Sequence, residues 1–267
     1  WDFVHWSETR MVLEPGPMDP VQTQFYGLGS TPYGGFELGT LWVYRTAPED
    51  MGYYKTKGGK QVTELAYCRS GASFGWPTLS GAGGHAWHRM ALGEPLLPLG
   101  AEDSWECGSI QAASNLVFLK DEIRFYYAGI SGRHWSAFHK DKPDHAIGLA
   151  TLRLDGFVSV ETEHKGTLTT RPIVFLGDTI VVNANAKGGS LVVEALDVKG
   201  RVIEGFSAGD CTPITTDSVR HVVTWKGHKD CHLLQGRPIR LRFHLENAKL
   251  FSFEPGIRHS HYLQSYD

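Results

Sequence analysis

The sequence predicts an all-β protein in which β-propeller blades are followed by a β-sandwich. Three observations favour this fold class. Glycine accounts for 31 of the 267 residues, well above the usual share of roughly 7%, and tight turns depend on glycine. Aromatic residues reach 12%, and aromatic side chains are enriched in strands. Residues 1–165 carry a weak internal repeat, whereas the later residues alternate apolar and polar side chains as half-buried strands do.

The composition excludes several classes of protein. Hydrophobic residues make up 41% and charged residues 21%, values typical of globular chains rather than of disordered or collagen-like ones. The net charge of -3 provides no basic field for nucleic acid or anionic lipid. No apolar run approaches the roughly 18 residues of a membrane span. We therefore expect neither nucleic acid nor a membrane among its partners.

The internal repeat predicts the propeller blades. Its anchor residues are Trp6 and Gly27 in the first copy and Trp87 and Gly108 in the second. An apolar strand follows each glycine, at Gly39–Tyr44 and at Glu122–Tyr127. Each copy would form an antiparallel sheet of about four strands, which radial stacking buries in a propeller. Closed propellers have about 4–8 blades, so we expect further blades before Trp1, or a second chain or protomer that completes the ring.

Incomplete closure would leave two open faces on these blades. We expect them to expose apolar strand residues, namely Leu41, Val43, Ile123 and Phe125.

Residues 166–254 are predicted to form the sandwich. Arg240, Arg242 and His244 alternate with apolar residues, which indicates one wet and one buried face. A turn is predicted at Leu245–Asn247. The predicted strands are Thr179–Asn183, Ser190–Leu196, Arg220–Trp225, Ile239–Leu245 and Lys249–Phe253. The tail, residues 255–267, lacks a strand pattern.

Four cysteines fall two in each half of the chain. Pairing within each half, Cys68 with Cys107 and Cys211 with Cys231, suits an exported protein, and we expect an extracellular location. Four reduced, buried thiols are the equal alternative, because so few cysteines do not make a disulfide scaffold.

Several segments, in this order along the chain, resemble the five-bladed propellers of the glycoside hydrolase families that include invertases, fructanases and arabinosidases. They are Gln24–Tyr33, Leu65–Gly71, Ser104–Gly108 and Asp121–Gly129. The stretch from Gly188 to Phe253 is similar to the sandwich that follows such propellers in glycosidase-like proteins. The resemblance implies a partial five-bladed propeller, with N-terminal blades missing from this chain, and a C-terminal sandwich.

The resemblance also implies hydrolysis of a glycosidic bond by paired carboxylates. Glu106, in the segment Trp105-Glu106-Cys107, matches the acid/base glutamate of the invertase-like families. Asp19, in Met18-Asp19-Pro20, is the nearest match to their transition-state-stabilising aspartate, although the preceding arginine of that motif is replaced by methionine. The nucleophilic aspartate has no counterpart. A structural carboxylate at a blade turn is the alternative reading of Glu106, and a turn-opening residue that of Asp19.

Four further residues are candidates for contacts with a carbohydrate. Trp105 would supply an apolar wall beside Glu106, and Tyr33 and Trp135 adjoin glycine-rich turns where a sugar face could stack on an aromatic ring. His134 lies in a polar, histidine-containing loop whose spacings do not predict a metal site. We expect no metal and no cofactor. The sequence predicts a carbohydrate-active, glycosidase-like protein; the alternative is a non-catalytic carbohydrate-binding or structural protein that retains the propeller.

Overall fold

A computed structural model describes residues 4–6, 11–46, 59–69, 87–132, 144–174, 176–228 and 230–255. The prediction of an all-β protein is confirmed, since these ranges contain strands, one 3₁₀ helix at His232–Leu234 and no α-helix. The strands are β1 (Gln24–Tyr33), β2 (Phe36–Arg45), β3 (Lys60–Arg69), β4 (His88–Arg89), β5 (Ser109–Ala112), β6 (Val117–Phe118), β7 (Glu122–Ile130), β8 (His145–Arg153), β9 (Val160–Thr169), β10 (Ile180–Asn185), β11 (Ser190–Leu196), β12 (Asp217–Val222) and β13 (Arg240–Pro255).

The chain divides into two compact units. The first comprises residues 1–117 and 124–151, and the second comprises residues 118–123 and 152–267. The predicted candidates His134 and Trp135, and all of the predicted tail except Pro255, lie outside the described residues.

The first unit contains an eight-stranded sheet with the order β1-β2-β3-β5-β7-β6, in which β4 pairs with β3 and β8 with β7. The β1–β2 hairpin turns at Gly34 and Gly35, whose φ angles of 54° and 83° suit a two-residue turn with both central residues left-handed. Strands from both repeat copies therefore belong to one sheet. They meet at a seam where β3 and β5 run parallel and share a single registered pair, Gln61 with Ser109.

The core of the first unit forms on β2 and β3. Leu41 and Val43 of β2 pack in one buried cluster with Ala66 of β3 and the Trp87 ring. Trp87 lies over Gly39, where an added Cβ would approach the indole to 2.7 Å. The repeat anchor Trp87 thus packs against a strand glycine, as glycines inside strands often permit.

The four apolar residues that were expected on the open faces are buried instead. Leu41, Val43, Ile123 and Phe125 are at most 2% exposed. The prediction was wrong for these four residues, because each side chain is already covered within the chain.

The second unit contains a five-stranded sheet with the order β11-β13-β10-β12, and β9 pairs with β13. Its buried cluster joins strand residues such as Val193 and Phe243 to Phe206, Trp225 and Leu234, which lie outside the sheet strands. Trp225 Nε1 donates to the carbonyl oxygen of Val193 at 2.9 Å, so the indole packs without leaving its N–H unpaired.

Strand β13 corrects the predicted turn at Leu245–Asn247. The strand continues for 16 residues, and its register against β9 shifts between Glu246 and Ala248. Asn247 has a φ of 44°, and its Nδ2 donates to the carbonyl oxygen of Gly188 at 3.0 Å. The local signal marks a β-bulge, which inserts one extra residue without ending the strand.

No helix in the described part of the chain is long and apolar enough to cross a membrane.

Candidate functional site

The predicted residue Glu106 lies in a turn between β4 and β5 in the first unit. Its Oε2 accepts a hydrogen bond from Tyr127 Oη on β7 at 2.5 Å. Glu106, Trp105 and Tyr127 are each half-buried, so the carboxylate is close to apolar rings without being sealed from solvent. The structure therefore joins two predicted residues, Trp105 and Glu106, to a tyrosine that sequence reasoning did not choose.

The Trp105 and Tyr127 rings stack on one another. Their centroids are 5.9 Å apart and their planes differ by 11°. This arrangement fixes the tyrosine hydroxyl beside the carboxylate, because the broad faces of the two rings restrict each other's tilt.

Three glycines make room for this cluster. A Cβ at Gly129 would lie 2.2 Å from Trp105 Cζ3, and a Cβ at Gly148 would lie 2.2 Å from Tyr127 Cζ. A Cβ at Gly100 would lie 2.7 Å from Glu106 Cγ. Contacts this close exclude any side chain at the three positions unless the neighbouring group moves.

Burial raises the pKa of Tyr127 to about 12, with further contributions from the hydrogen bond to Glu106 and from the charge of that carboxylate. Tyr127 therefore keeps its proton at neutral pH. The phenol donates and Glu106 accepts.

The turn that carries Glu106 is closed by its own backbone. Ser104 N donates to the carbonyl oxygen of Ala101 at 3.0 Å, and Cys107 N donates to that of Ser104 at 3.2 Å. Asp103 has a φ of 68°, an uncommon conformation for a residue other than glycine. The turn thus holds Trp105 and Glu106 in fixed directions.

Asp19 contacts different partners. Its Oδ1 lies 2.5 Å from Arg89 Nη1, and its Oδ2 accepts a hydrogen bond from Gly16 N at 2.8 Å. The Asp19 side chain is only 5% exposed. Both carboxylate oxygens are therefore engaged, and no contact joins Asp19 to Glu106 among the contacts found in the described ranges.

Arg89 and Glu64 form a buried ionic network that the sequence interpretation missed. Arg89 Nε donates to Glu64 Oε2 at 2.7 Å, and Arg45 Nη2 donates to Glu64 Oε1 at 2.5 Å. The Glu64 side chain is fully buried. A signal was present, because a glutamate inside the buried strand β3 requires a cationic partner to offset its desolvation.

Tyr33, the remaining aromatic candidate within the described ranges, ends β1 and is half-buried beside the Gly34–Gly35 turn. No group of three or more potential metal ligands occurs in the part of the chain that the structure describes. The cysteines Cys68, Cys107, Cys211 and Cys231 are all free, which agrees with the alternative of reduced thiols and not with the two expected disulfides.

Comparison with known proteins gives no match, either to a protein-family model or to a curated protein.

Proposed function

We propose that this protein acts on carbohydrates in the manner of a glycoside hydrolase, with Glu106 as a carboxylate at the scissile bond. The observation that carries the proposal is the built environment of Glu106. Its carboxylate is half-buried, receives the Tyr127 hydrogen bond and adjoins the stacked Trp105 and Tyr127 rings. A sugar offers an apolar face to aromatic rings and hydroxyl groups to a carboxylate, so both parts of this site suit it.

Asp19 has a supporting role in this proposal. A carboxylate that attacks a sugar or activates a water needs an oxygen free to approach it. Both oxygens of Asp19 have partners, Arg89 and Gly16. We therefore assign Asp19 to the ionic network around Arg89, and Glu106 remains the candidate for contact with the bond itself.

A non-catalytic carbohydrate-binding protein is the second candidate function, and the engagement of Asp19 favours it. Glycoside hydrolysis generally needs two carboxyl groups separated by about 5–9.5 Å. With Asp19 committed to Arg89, Glu106 and the two rings would bind a sugar without cleaving it.

The propeller and sandwich assignments belong to the same proposal. We interpret the eight-stranded sheet as two blades joined at their edges, supported by the single registered residue pair between β3 and β5. In the second unit, the cluster that links the sheet to Phe206, Trp225 and Leu234 supports a second layer over the sheet, as a sandwich requires.

The test is the Glu106→Gln variant, with Glu102→Gln as its matched control. Glu102 lies in the same turn but is exposed. Both variants are assayed on a panel of aryl glycosides, for reducing-sugar release from polysaccharides, and for oligosaccharide affinity by calorimetry. We expect Glu106→Gln to lower turnover about 10²-fold or more and Glu102→Gln to leave it unchanged.

The outcomes separate the two candidate functions. Binding without turnover in the wild-type protein supports the non-catalytic function. If the wild-type protein shows no binding and no turnover on any member of the panels, both candidate functions are contradicted. Equal turnover of Glu106→Gln and wild type removes Glu106 from the mechanism.

A further inference from the structure

We propose that Tyr127 is the positioning residue of the candidate site: its hydroxyl fixes one oxygen of Glu106 and leaves the other to meet a ligand. The role of Oε1 in binding a ligand rests on the proposed function, whereas the pairing of Tyr127 with Glu106 is independent of that function. Glu106 Oε2 is the oxygen that Tyr127 holds, at 2.5 Å. Oε1 receives no hydrogen bond from the residues that the structure describes.

The tyrosine can position the carboxylate because it is itself immobilised. Its ring stacks on the Trp105 ring and also lies close to Gly148 of β8. A Cβ at Gly148 would approach Tyr127 Oη to 2.6 Å as well as Cζ to 2.2 Å. The backbone of β8 therefore lies directly against the end of the ring that carries the hydroxyl.

Trp105 is held in the same way. Its ring lies against Gly129 of β7, where a Cβ would come within 3 Å of three indole atoms, Cζ3, Cε3 and Cη2. Gly129 is two residues after Tyr127 on the same strand, so the Trp105 ring covers Gly129 on the face of the sheet to which the Tyr127 side chain points. Strand β7 thus supplies the tyrosine and also the space for the tryptophan that packs on it.

The hydrogen bond is of the strong kind, because a carboxylate acceptor and a phenol donor form a charge-assisted pair. Glu106 is half-buried, which limits competition from water. A carboxylate bound at one oxygen loses rotational freedom about its last torsion. Oε1 then faces an incoming group in a fixed direction, and such alignment determines how well a carboxylate reacts or binds.

The first experiment measures the pair without any substrate. The phenolate absorbance of the tyrosines is titrated with alkali in the wild-type protein, in Glu106→Gln and in Tyr127→Phe, which identifies the Tyr127 transition. Burial is the largest cause of the raised Tyr127 pKa, and the hydrogen bond and charge of Glu106 add to it. Glu106→Gln removes the charge and replaces the carboxylate acceptor by an amide oxygen, so we expect it to lower the Tyr127 pKa from about 12. Glu102→Gln should leave it unchanged. A Tyr127 transition at the same pH in Glu106→Gln and wild type would overturn the proposal.

The second experiment measures the consequence for function. Tyr127→Phe keeps the ring and its stacking but removes the donor, so circular dichroism and unfolding should remain close to wild type. We expect it to lower kcat, or oligosaccharide affinity if the protein only binds, by about 10- to 100-fold. KM should change much less than kcat if the loss is one of alignment. A Tyr127→Phe variant equal to wild type in these measurements would overturn the positioning role.

The two experiments fail independently. If the protein neither cleaves nor binds any sugar, the proposed function fails, while the alkaline titration still decides whether Tyr127 and Glu106 form the pair. Gly148→Ala provides a further check, because its methyl group must displace the Tyr127 ring. It should lower the Tyr127 pKa as Glu106→Gln does, and an unchanged pKa in this variant would contradict the immobilised ring.

Discussion

Arg89 Nη1 lies 2.5 Å from Asp19 Oδ1, with both side chains almost completely buried. This ion pair joins the turn that precedes β1 to strand β4. The same guanidinium also donates to Glu64 on β3, and its Cζ lies 5.2 Å from the centroid of the Phe25 ring. One arginine therefore ties the turn to the sheet.

Replacing Arg89 should destabilise the first unit severely. Arg89→Ala leaves the Asp19 and Glu64 carboxylates buried without their common partner, and a broken buried pair costs about 3–5 kcal/mol. We expect a correspondingly lower midpoint in urea unfolding. If the alanine variant does not fold, Arg89→Lys should fold with reduced stability, because one ammonium cannot serve both carboxylates in the geometry of a guanidinium.

The control for this prediction is Arg201→Ala. Arg201 pairs with Asp197 at 2.7 Å, but its side chain is 74% exposed, and exposed pairs contribute little. Its urea midpoint should remain close to that of the wild type. Equal effects of the two substitutions would show that the buried network is not a main support of the fold.

Glycine positions in the second unit give a matched pair of substitutions. A Cβ at Gly189 would lie 2.0 Å from the carbonyl oxygen of Glu246, which is backbone and cannot rotate away. At Gly166 the nearest atom is 3.6 Å away, an ordinary contact. We expect Gly189→Ala to lower the free energy of unfolding by about 1–3 kcal/mol and Gly166→Ala to change it by less than about 1 kcal/mol. Thermal unfolding, followed by circular dichroism, measures the stability of both variants. A larger loss of stability in Gly166→Ala than in Gly189→Ala would contradict the prediction.

Stability should fall at alkaline pH in part because of Cys231. Burial, with smaller contributions from the charges of Asp178 and Asp230, raises the pKa of its thiol from 9.0 to about 11. The folded state then holds a proton that the unfolded state releases between these values. This contribution is complete below pH 9 and is lost as the pH rises to about 11.

The measurement for Cys231 compares urea unfolding of wild type and Cys231→Ala at pH values from neutral to alkaline. Tyr127, with a pKa near 12, acts in the same direction in both proteins, so the difference between their curves isolates Cys231. We expect the gap between wild type and variant to narrow as the pH rises. A gap independent of pH would contradict the raised pKa.

Thiol counting tests the free cysteines directly. A disulfide reagent added to the protein in denaturant, without prior reduction, should detect all four thiols. In the native state Cys107, which is half-buried, should react before Cys68, which is fully buried. Detection of no thiols before reduction would instead support the two within-half disulfides.

Strand positions could be predicted from the sequence where local signals decide them. Strand β11 has the predicted bounds, Ser190–Leu196, because alternating side chains follow the Gly188–Gly189 turn. Asn247 misled the prediction, since a polar residue with a left-handed backbone suits a turn and a bulge equally. The choice depends on pairing with β9, β10 and β11, which lie far away in sequence.

The candidate site could also be predicted only where neighbouring residues in the sequence carry the signal. Trp105 and Glu106 were found as neighbours in sequence, but Tyr127 is brought to them by the packing of β7 against a turn. The available signals were Gly129 and Gly148, since a glycine within a strand often marks the close approach of another group. Neither glycine reveals which ring it accommodates. That information arises only when the strands pair.

Strand β13 sets the order in which the second unit can be completed during synthesis. β9, β10 and β11 each pair with β13, so three strands of this sheet lack a common partner until residues 240–255 have left the ribosome. At roughly 5–20 residues per second, the β9 segment waits several seconds with its backbone hydrogen-bonding groups facing water. The sheet of this unit can therefore be completed only after β13 has emerged, and unpaired strands are exposed to aggregation during that interval.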